Sequence, residues 1–216
     1  NRDIKLLVVA CNTASAVSLD ELKAEFPIPI VGVIEPGALR AASVTTSGRV
    51  GVIGTAGTIR SSAYTKAIKK INPDIEVITA ECPMFVPLAE EGWVDNEVAR
   101  LTASIYLKNL RDKGVDTLVL GCTHYPLLKG IISEAMGEGV TLVDSAAETA
   151  RVVKGILEAN ETIRPVPEKG NHHYFVTDVP AGFIRVGNRF LGGVLGDVYQ
   201  VSLEEDIPPG GEKSEG

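Results

Sequence analysis

Leu6-Leu7-Val8-Val9-Ala10 runs straight into Cys11-Asn12-Thr13-Ala14, and Leu118-Val119-Leu120-Gly121 runs straight into Cys122-Thr123-His124-Tyr125-Pro126. Each is a short continuous apolar run, as expected of a strand covered on both faces, followed by polar residues and a helix-compatible stretch. The same unit recurs along the chain. Further apolar runs lie at residues 30–34, 50–53, 77–80 and 140–143, and helical stretches at 15–25, 36–44, 58–71, 95–113, 126–136 and 146–159. Within 95–113, Val98, Leu101, Ile105 and Leu110 fall near helical spacing. Strand–helix alternation of this kind predicts an α/β fold with mainly parallel sheets. After residue 160 the pattern loosens into a Pro- and charge-rich connection at 164–170, a further strand at 172–177 and a tail at 208–216 expected to be disordered.

The 216 residues are 44% hydrophobic, enough for one large core or two small ones. Lys plus Arg number 21 against 28 Asp plus Glu, a formal net charge of −7. A surface built to neutralise phosphates runs basic, so nucleic acid is not the expected partner. No apolar run approaches the roughly 20 residues that span a bilayer, and no secretory leader pattern opens the sequence. Three cysteines, odd in number and sparse, do not form a disulfide framework. The chain therefore reads as a cytoplasmic protein with reduced thiols and no membrane partner.

Two of those thiols share a structural address. Cys11 and Cys122 each follow the carboxyl end of a buried strand, the edge at which α/β sheets bind ligands. Backbone N–H groups and the partial positive charge of a following helix favour a thiolate there. Two such cysteines on similar halves suggest one carbon approached from two sides, which is the symmetry of racemisation. His124, two residues from Cys122, is placed to ionise it or to protonate a substrate group. Cys82, flanked by Glu81 and Pro83, reads as structural. Glu90 lies near the end of a helix closing at Gly92, and nothing local sets it apart from a solvated acid. Gly54-Thr55-Ala56-Gly57-Thr58 follows a strand and opens a helix, so it serves equally as an anion site or as turn chemistry. His172-His173 carries no functional assignment, because strand neighbours point to opposite faces.

The segments Cys11-Asn12-Thr13-Ala14-Ser15 and Gly121-Cys122-Thr123-His124-Tyr125-Pro126-Leu127-Leu128 resemble those of glutamate racemases. Val31-Gly32-Val33-Ile34-Glu35-Pro36-Gly37, Ile53-Gly54-Thr55, Cys82-Pro83 and Glu90-Glu91-Gly92 extend the resemblance in the same order. It implies two similar Rossmann-like α/β domains with the active site in the cleft between them. Residues 1–35 with 146–207 would form the first and 36–145 the second. By the same resemblance Cys11 and Cys122 are the acid/base pair, with Cys122 acting on L-glutamate, His124 assisting it and Glu90 helping on that side. Asn12, Thr13 and Thr123 would bind the amino acid, with Thr55 and Thr58 near its carboxylate. No cofactor is expected, neither pyridoxal phosphate nor metal. The family supplies D-glutamate for peptidoglycan and commonly forms homodimers.

The family's opening strand, its Asp-Ser-Gly-x-Gly-Gly loop and a Pro-Tyr-Gly segment have no counterpart in these residues. The expectation that follows is a first domain short of its N-terminal piece and little activity from this polypeptide alone. Three other readings stay open on the sequence. They are a truncated fragment that binds glutamate weakly, a redox protein pairing Cys11 with Cys122, and a cysteine acyl-transfer enzyme using Cys122 with His124.

Overall fold

The structure is a computed structural model describing residues 4–164, 170–193 and 195–202. The expected tail at 208–216 and the middle of the 164–170 connection lie outside the described residues. The chain divides into two compact units, 1–164 and 165–216.

In the first unit, β1 (Leu7–Val9) pairs in parallel with β2 (Ile30–Gly32) across α1 (Asn12–Glu25). A four-stranded parallel sheet follows. It is made of β3 (Arg49–Gly54), β4 (Glu76–Glu81), β5 (Thr117–Gly121) and β6 (Thr141–Asp144), in the spatial order β4-β3-β5-β6. Its central strands bury both faces, which explains their unbroken apolar runs. On β3, Ile53 enters one core while Val50 and Val52 enter the other; on β5, Leu118 and Leu120 take the first side and Val119 the second. The first face is covered by α5 (Phe85–Glu91), α6 (Glu97–Asp112) and α7 (Lys129–Met136), the second by α2 (Ile34–Val44) and α4 (Ala63–Ile71). Helix α8 (Ser145–Ala159) follows β6, and Asp144 caps it by accepting from the Ala146 N–H at 3.0 Å.

Three sequence expectations are corrected. The stretch 58–71 is two helices, α3 (Ala56–Arg60) and α4, broken at Ser62, whose φ is +57°. Ser61 explains the break. Its hydroxyl donates to the Thr58 carbonyl at 2.7 Å and accepts from the Ala63 N–H at 3.2 Å, offering the backbone a local alternative to helical bonds. On α6 the buried face is Ala99, Ala103, Leu107 and Leu110, while Val98, Leu101 and Ile105 are exposed, the last at 65%. The small alanines let the helix lie close against its neighbours, so the bulkier residues do not mark the core. After β5 the chain makes a 3-10 turn, Tyr125–Leu128, before α7 begins, with Pro126 in its first turn, where a missing N–H costs nothing.

In the second unit, β7 (Tyr174–Val176) pairs in parallel with β8 (Val198–Gln200), with α9 (Pro180–Leu191) between them in sequence. His172 and His173 precede the strand instead of lying in it. Among the described residues no helix is long and apolar enough to cross a membrane.

Candidate active site

The order β4-β3-β5-β6 makes the chain leave β3 toward one side and return on the other, so the carboxyl ends of β3 and β5 flank a topological switch point. Gly54 and Gly121 end these strands and are register partners. Both must be small. A Cβ on Gly121 would sit 2.6 Å from the Ile53 carbonyl oxygen, and one on Gly54 would sit 3.3 Å from the Gly121 oxygen. Thr55 and Cys122 are therefore delivered side by side from two strands packed backbone to backbone.

Around Cys122 the site is a short polar chain. The thiol is 7% exposed, with Sγ 3.8 Å from His124 Nδ1. Thr123 Oγ1 lies 3.3 Å from the same nitrogen, and His124 Nε2 lies 3.2 Å from a Glu90 carboxylate oxygen. A carboxylate only accepts, so Glu90 selects the Nε2–H form of the ring. In the neutral imidazole that leaves Nδ1 as an acceptor facing the thiol. Burial pushes the Cys122 thiol up, and the backbone N–H of His124 pulls it partly back. Charge on Cys11 raises it again, and Thr123 opposes that with its hydroxyl and N–H. The net direction is upward, so the turn does not by itself make Cys122 a thiolate as the sequence suggested. Glu90, which looked like any solvated acid in the sequence, owes its place to α5 ending at Gly92 in the left-handed conformation, φ +77°.

Cys11 is the residue before α1 and is exposed. Asn12 and Thr13 open that helix. Thr13 Oγ1 lies 2.9 Å from Thr55 Oγ1 and 3.0 Å from Thr58 Oγ1, and the last two are 3.2 Å apart. The three hydroxyls form a closed triangle joining α1 to the start of α3. The approach is close: a Cβ on Gly57 would come within 2.9 Å of Thr13 Cγ2. Asn12 turns inward, 3% exposed, and accepts from the Tyr64 hydroxyl at 2.7 Å.

The nine residues singled out from sequence thus fall into two groups, Cys122–Thr123–His124–Glu90 and Cys11–Asn12–Thr13–Thr55–Thr58. Tyr64, absent from the sequence reading, lies between them. Its ring packs where a Gly121 side chain would stand, at 3.3 Å, while its hydroxyl reaches Asn12. A tyrosine inside an amphipathic helix carries no signal of that role. A cavity of about 330 Å³ opens beside Cys122, walled in part by Val8, Ala10, Thr123, Asp144 and Ser145, within the size range of small-ligand sites. Cys11 is not among its walls. Cys82 is fully buried and its thiol is pushed up to about 12 by burial, in keeping with a structural residue. All three cysteines are free. Among the described residues no three His, Cys, Asp or Glu side chains cluster as a metal would require.

The profile of the family described as Asp/Glu/Hydantoin racemase matches residues 1–153. The chain is 74% identical over 206 residues to a glutamate racemase of Geobacter metallireducens, covering 95% of this chain and 76% of that protein. It is 47% identical over 191 residues to the Enterococcus faecalis glutamate racemase, covering 88% and 70%. Its structure is similar to a glutamate racemase isoform of Bacillus anthracis, with TM-score 0.88 at 38% identity over 93% of this chain and 74% of that one. It is also similar to the Francisella tularensis glutamate racemase solved with D-glutamate, with TM-score 0.86 at 34% identity over 94% and 75%. The chain belongs to the Asp/Glu/hydantoin racemase family and, within it, to the glutamate racemases.

Proposed function

We propose that this glutamate racemase interconverts L- and D-glutamate with Cys11 and Cys122 as its two acid/base residues. One thiolate removes the α-proton from one face of Cα, and the other residue, as a thiol, returns a proton to the opposite face. The bond to hydrogen breaks heterolytically, its electron pair rests on the substrate carbanion, and the thiol/thiolate states are exchanged at the end of each turnover. Reset then requires proton exchange with solvent. His124, with its Nε2–H held by Glu90, takes the Cys122 proton when that residue must be the base. In the L-to-D direction that residue is Cys122. Asn12, Thr13 and Thr123 bind the amino acid, and the Thr13–Thr55–Thr58 triangle offers hydroxyl donors to a carboxylate. Donors fixed before the reaction are what stabilise a developing carbanion.

The observation that carries this reading is the matched placement of two free thiols. Cys11 stands between the parallel strand β1 and helix α1, and Cys122 follows the parallel strand β5 ahead of the 3-10 turn. The family's role is to supply D-glutamate for peptidoglycan. A cytoplasmic location, a homodimer, and the division into a domain of residues 1–35 with 146–207 and one of 36–145 belong to the same proposal.

Deuterium exchange at Cα of each enantiomer, followed by NMR in D2O, tests it. The parent chain exchanges both enantiomers, while Cys11→Ser and Cys122→Ser each abolish racemisation and retain at most exchange of one. Racemisation by either single variant at the parent rate would overturn the two-thiol assignment. No exchange of either enantiomer by the parent would overturn activity for this polypeptide.

A further inference from the structure

Asn12 presents a buried polar atom that the fold does not satisfy. Its Oδ1 accepts from Tyr64, but its Nδ2 is buried and has no hydrogen-bond partner among the described residues. Leaving an N–H donor in this state destabilises a fold, so such groups persist where something else supplies the acceptor. The two ends of an amide are nearly identical in shape, and only the neighbouring donors and acceptors decide which end points where.

We propose that Tyr64 is a positioning residue for the racemase: its phenol donates to Asn12 Oδ1 and so fixes the amide flip that keeps Nδ2 for a substrate carboxylate oxygen. This rests on the reading above in which Asn12 binds the substrate. The direction of the hydrogen bond is fixed by its acceptor: an amide oxygen only accepts, so the phenol donates its proton to Asn12 Oδ1. Burial pushes the phenol above its ordinary value, so it remains a donor throughout the working pH range. The ring cannot swing away. Tyr64 is 3% exposed, and Cβ atoms built on Gly37 and Gly121 would stand 3.3 Å from it on either side. The bond therefore ties Tyr64 on α4 to Asn12, the residue after Cys11. With phenylalanine at 64 the amide oxygen loses the Tyr64 donor. The alternative flip, with Oδ1 toward the substrate, then opposes a carboxylate.

The test is a double-mutant cycle of Tyr64→Phe and Asn12→Ala on glutamate racemisation, with the Asn12 side-chain amide followed by ¹⁵N NMR. Tyr64→Phe is expected to raise KM about tenfold for both enantiomers, with kcat changed less, since ground-state and transition-state binding of the carboxylate are lost together. In the Asn12→Ala background the same change should alter kcat/KM less than twofold, because the residue through which it acts is gone. In the free protein the Asn12 Nδ2 protons, assigned by their loss in Asn12→Ala, should shift or double in Tyr64→Phe. Multiplicative effects of the two substitutions would overturn the proposal, as would an Asn12 amide signal unmoved by Tyr64→Phe. A parent chain without turnover would count against the racemase reading of this polypeptide alone. The amide signal still decides whether Tyr64 holds Asn12.

Discussion

The three thiols should separate by reactivity over a range wide enough to map the site. In a pulse of iodoacetamide at pH 8, an unperturbed thiol with pKa near 8.5 is about one-quarter thiolate. Cys82, pushed up to about 12, is thiolate to roughly one part in ten thousand at that pH, some two-thousandfold less, before its complete burial is counted. Cys122 is 7% exposed and also raised, so it falls between Cys82 and the exposed Cys11. The expected order is Cys11, then Cys122, then Cys82, with the last labelled only on global unfolding. Light reagent in the pulse and heavy reagent after denaturation give the rates by mass spectrometry, because trypsin places the three cysteines in separate peptides, 6–23, 71–100 and 114–129. D-glutamate present during the pulse should slow Cys11 and Cys122 and leave Cys82 unchanged. Labelling of Cys82 within tenfold of Cys11 would refute the burial argument. Substrate protection of Cys82, or of neither Cys11 nor Cys122, would refute the placement of the site.

Asp116 accepts from the Thr45 and Thr46 hydroxyls and from the N–H groups of Thr46 and Ser47, clamping the α2–β3 loop to the start of β5. Burial alone would raise its carboxyl, but these bonds outweigh it and hold the group well below the usual range. Asp116→Asn should cost about 1–2 kcal/mol at pH 7 in urea unfolding, after allowance for solvent at this partly exposed site. Because the folded value is depressed, the stabilisation is complete above about pH 4 and fades as pH falls through the folded value. A parent–variant difference that stays constant down to pH 2 would contradict the clamp. Glu90→Gln removes the group that fixes the His124 tautomer, so kcat/KM should fall roughly 10–100-fold. The fall must be equal in both directions, since the enantiomers have equal free energy. A change under twofold in steady-state racemisation would remove Glu90 from the relay.

How far the sequence could be read depended on whether a feature was set locally. The strands of the first unit were legible because their runs are buried on both faces and interrupted by helices, and Val50, Ile53, Leu118 and Val119 sit where that pattern requires. The cysteine turns were legible because each follows such a strand. What escaped reading depends on neighbours distant in sequence. Ile105 looks like a core residue until Ala103 and Leu107 are seen to face the sheet side. Tyr64 looks like one apolar member of a helix until its hydroxyl meets Asn12, 52 positions away. Glu90 gained its place from His124, 34 positions on. Thr13 meets Thr55 and Thr58 only through the approach of α1 to α3, so the closed hydroxyl triangle could be expected from no single segment.

The unequal settings of the two thiols bear directly on the chemistry, because a racemase turning over in one direction needs one thiolate and one thiol at the same time. Identical, independent thiols would meet that need poorly: at low pH both are protonated and at high pH both are ionised. Coupling widens the interval between those limits. Once one sulfur carries charge, the second is harder to ionise, and burial of Cys122 adds to the effect. The singly ionised pair is the working form, and its proton can reside on either sulfur. The pH profile of kcat should therefore be bell-shaped, its acid limb reporting the first ionisation of the pair and its alkaline limb the second. The upward shift of Cys122 places the alkaline limb above an ordinary thiol's value of about 8.5. Using kcat leaves out titration of free glutamate, so the limbs belong to the complex. A kcat that climbs without an alkaline limb to pH 11 would mean that a second protonated thiol is not required. In that case the pair would have to be reassigned as one base and one bystander.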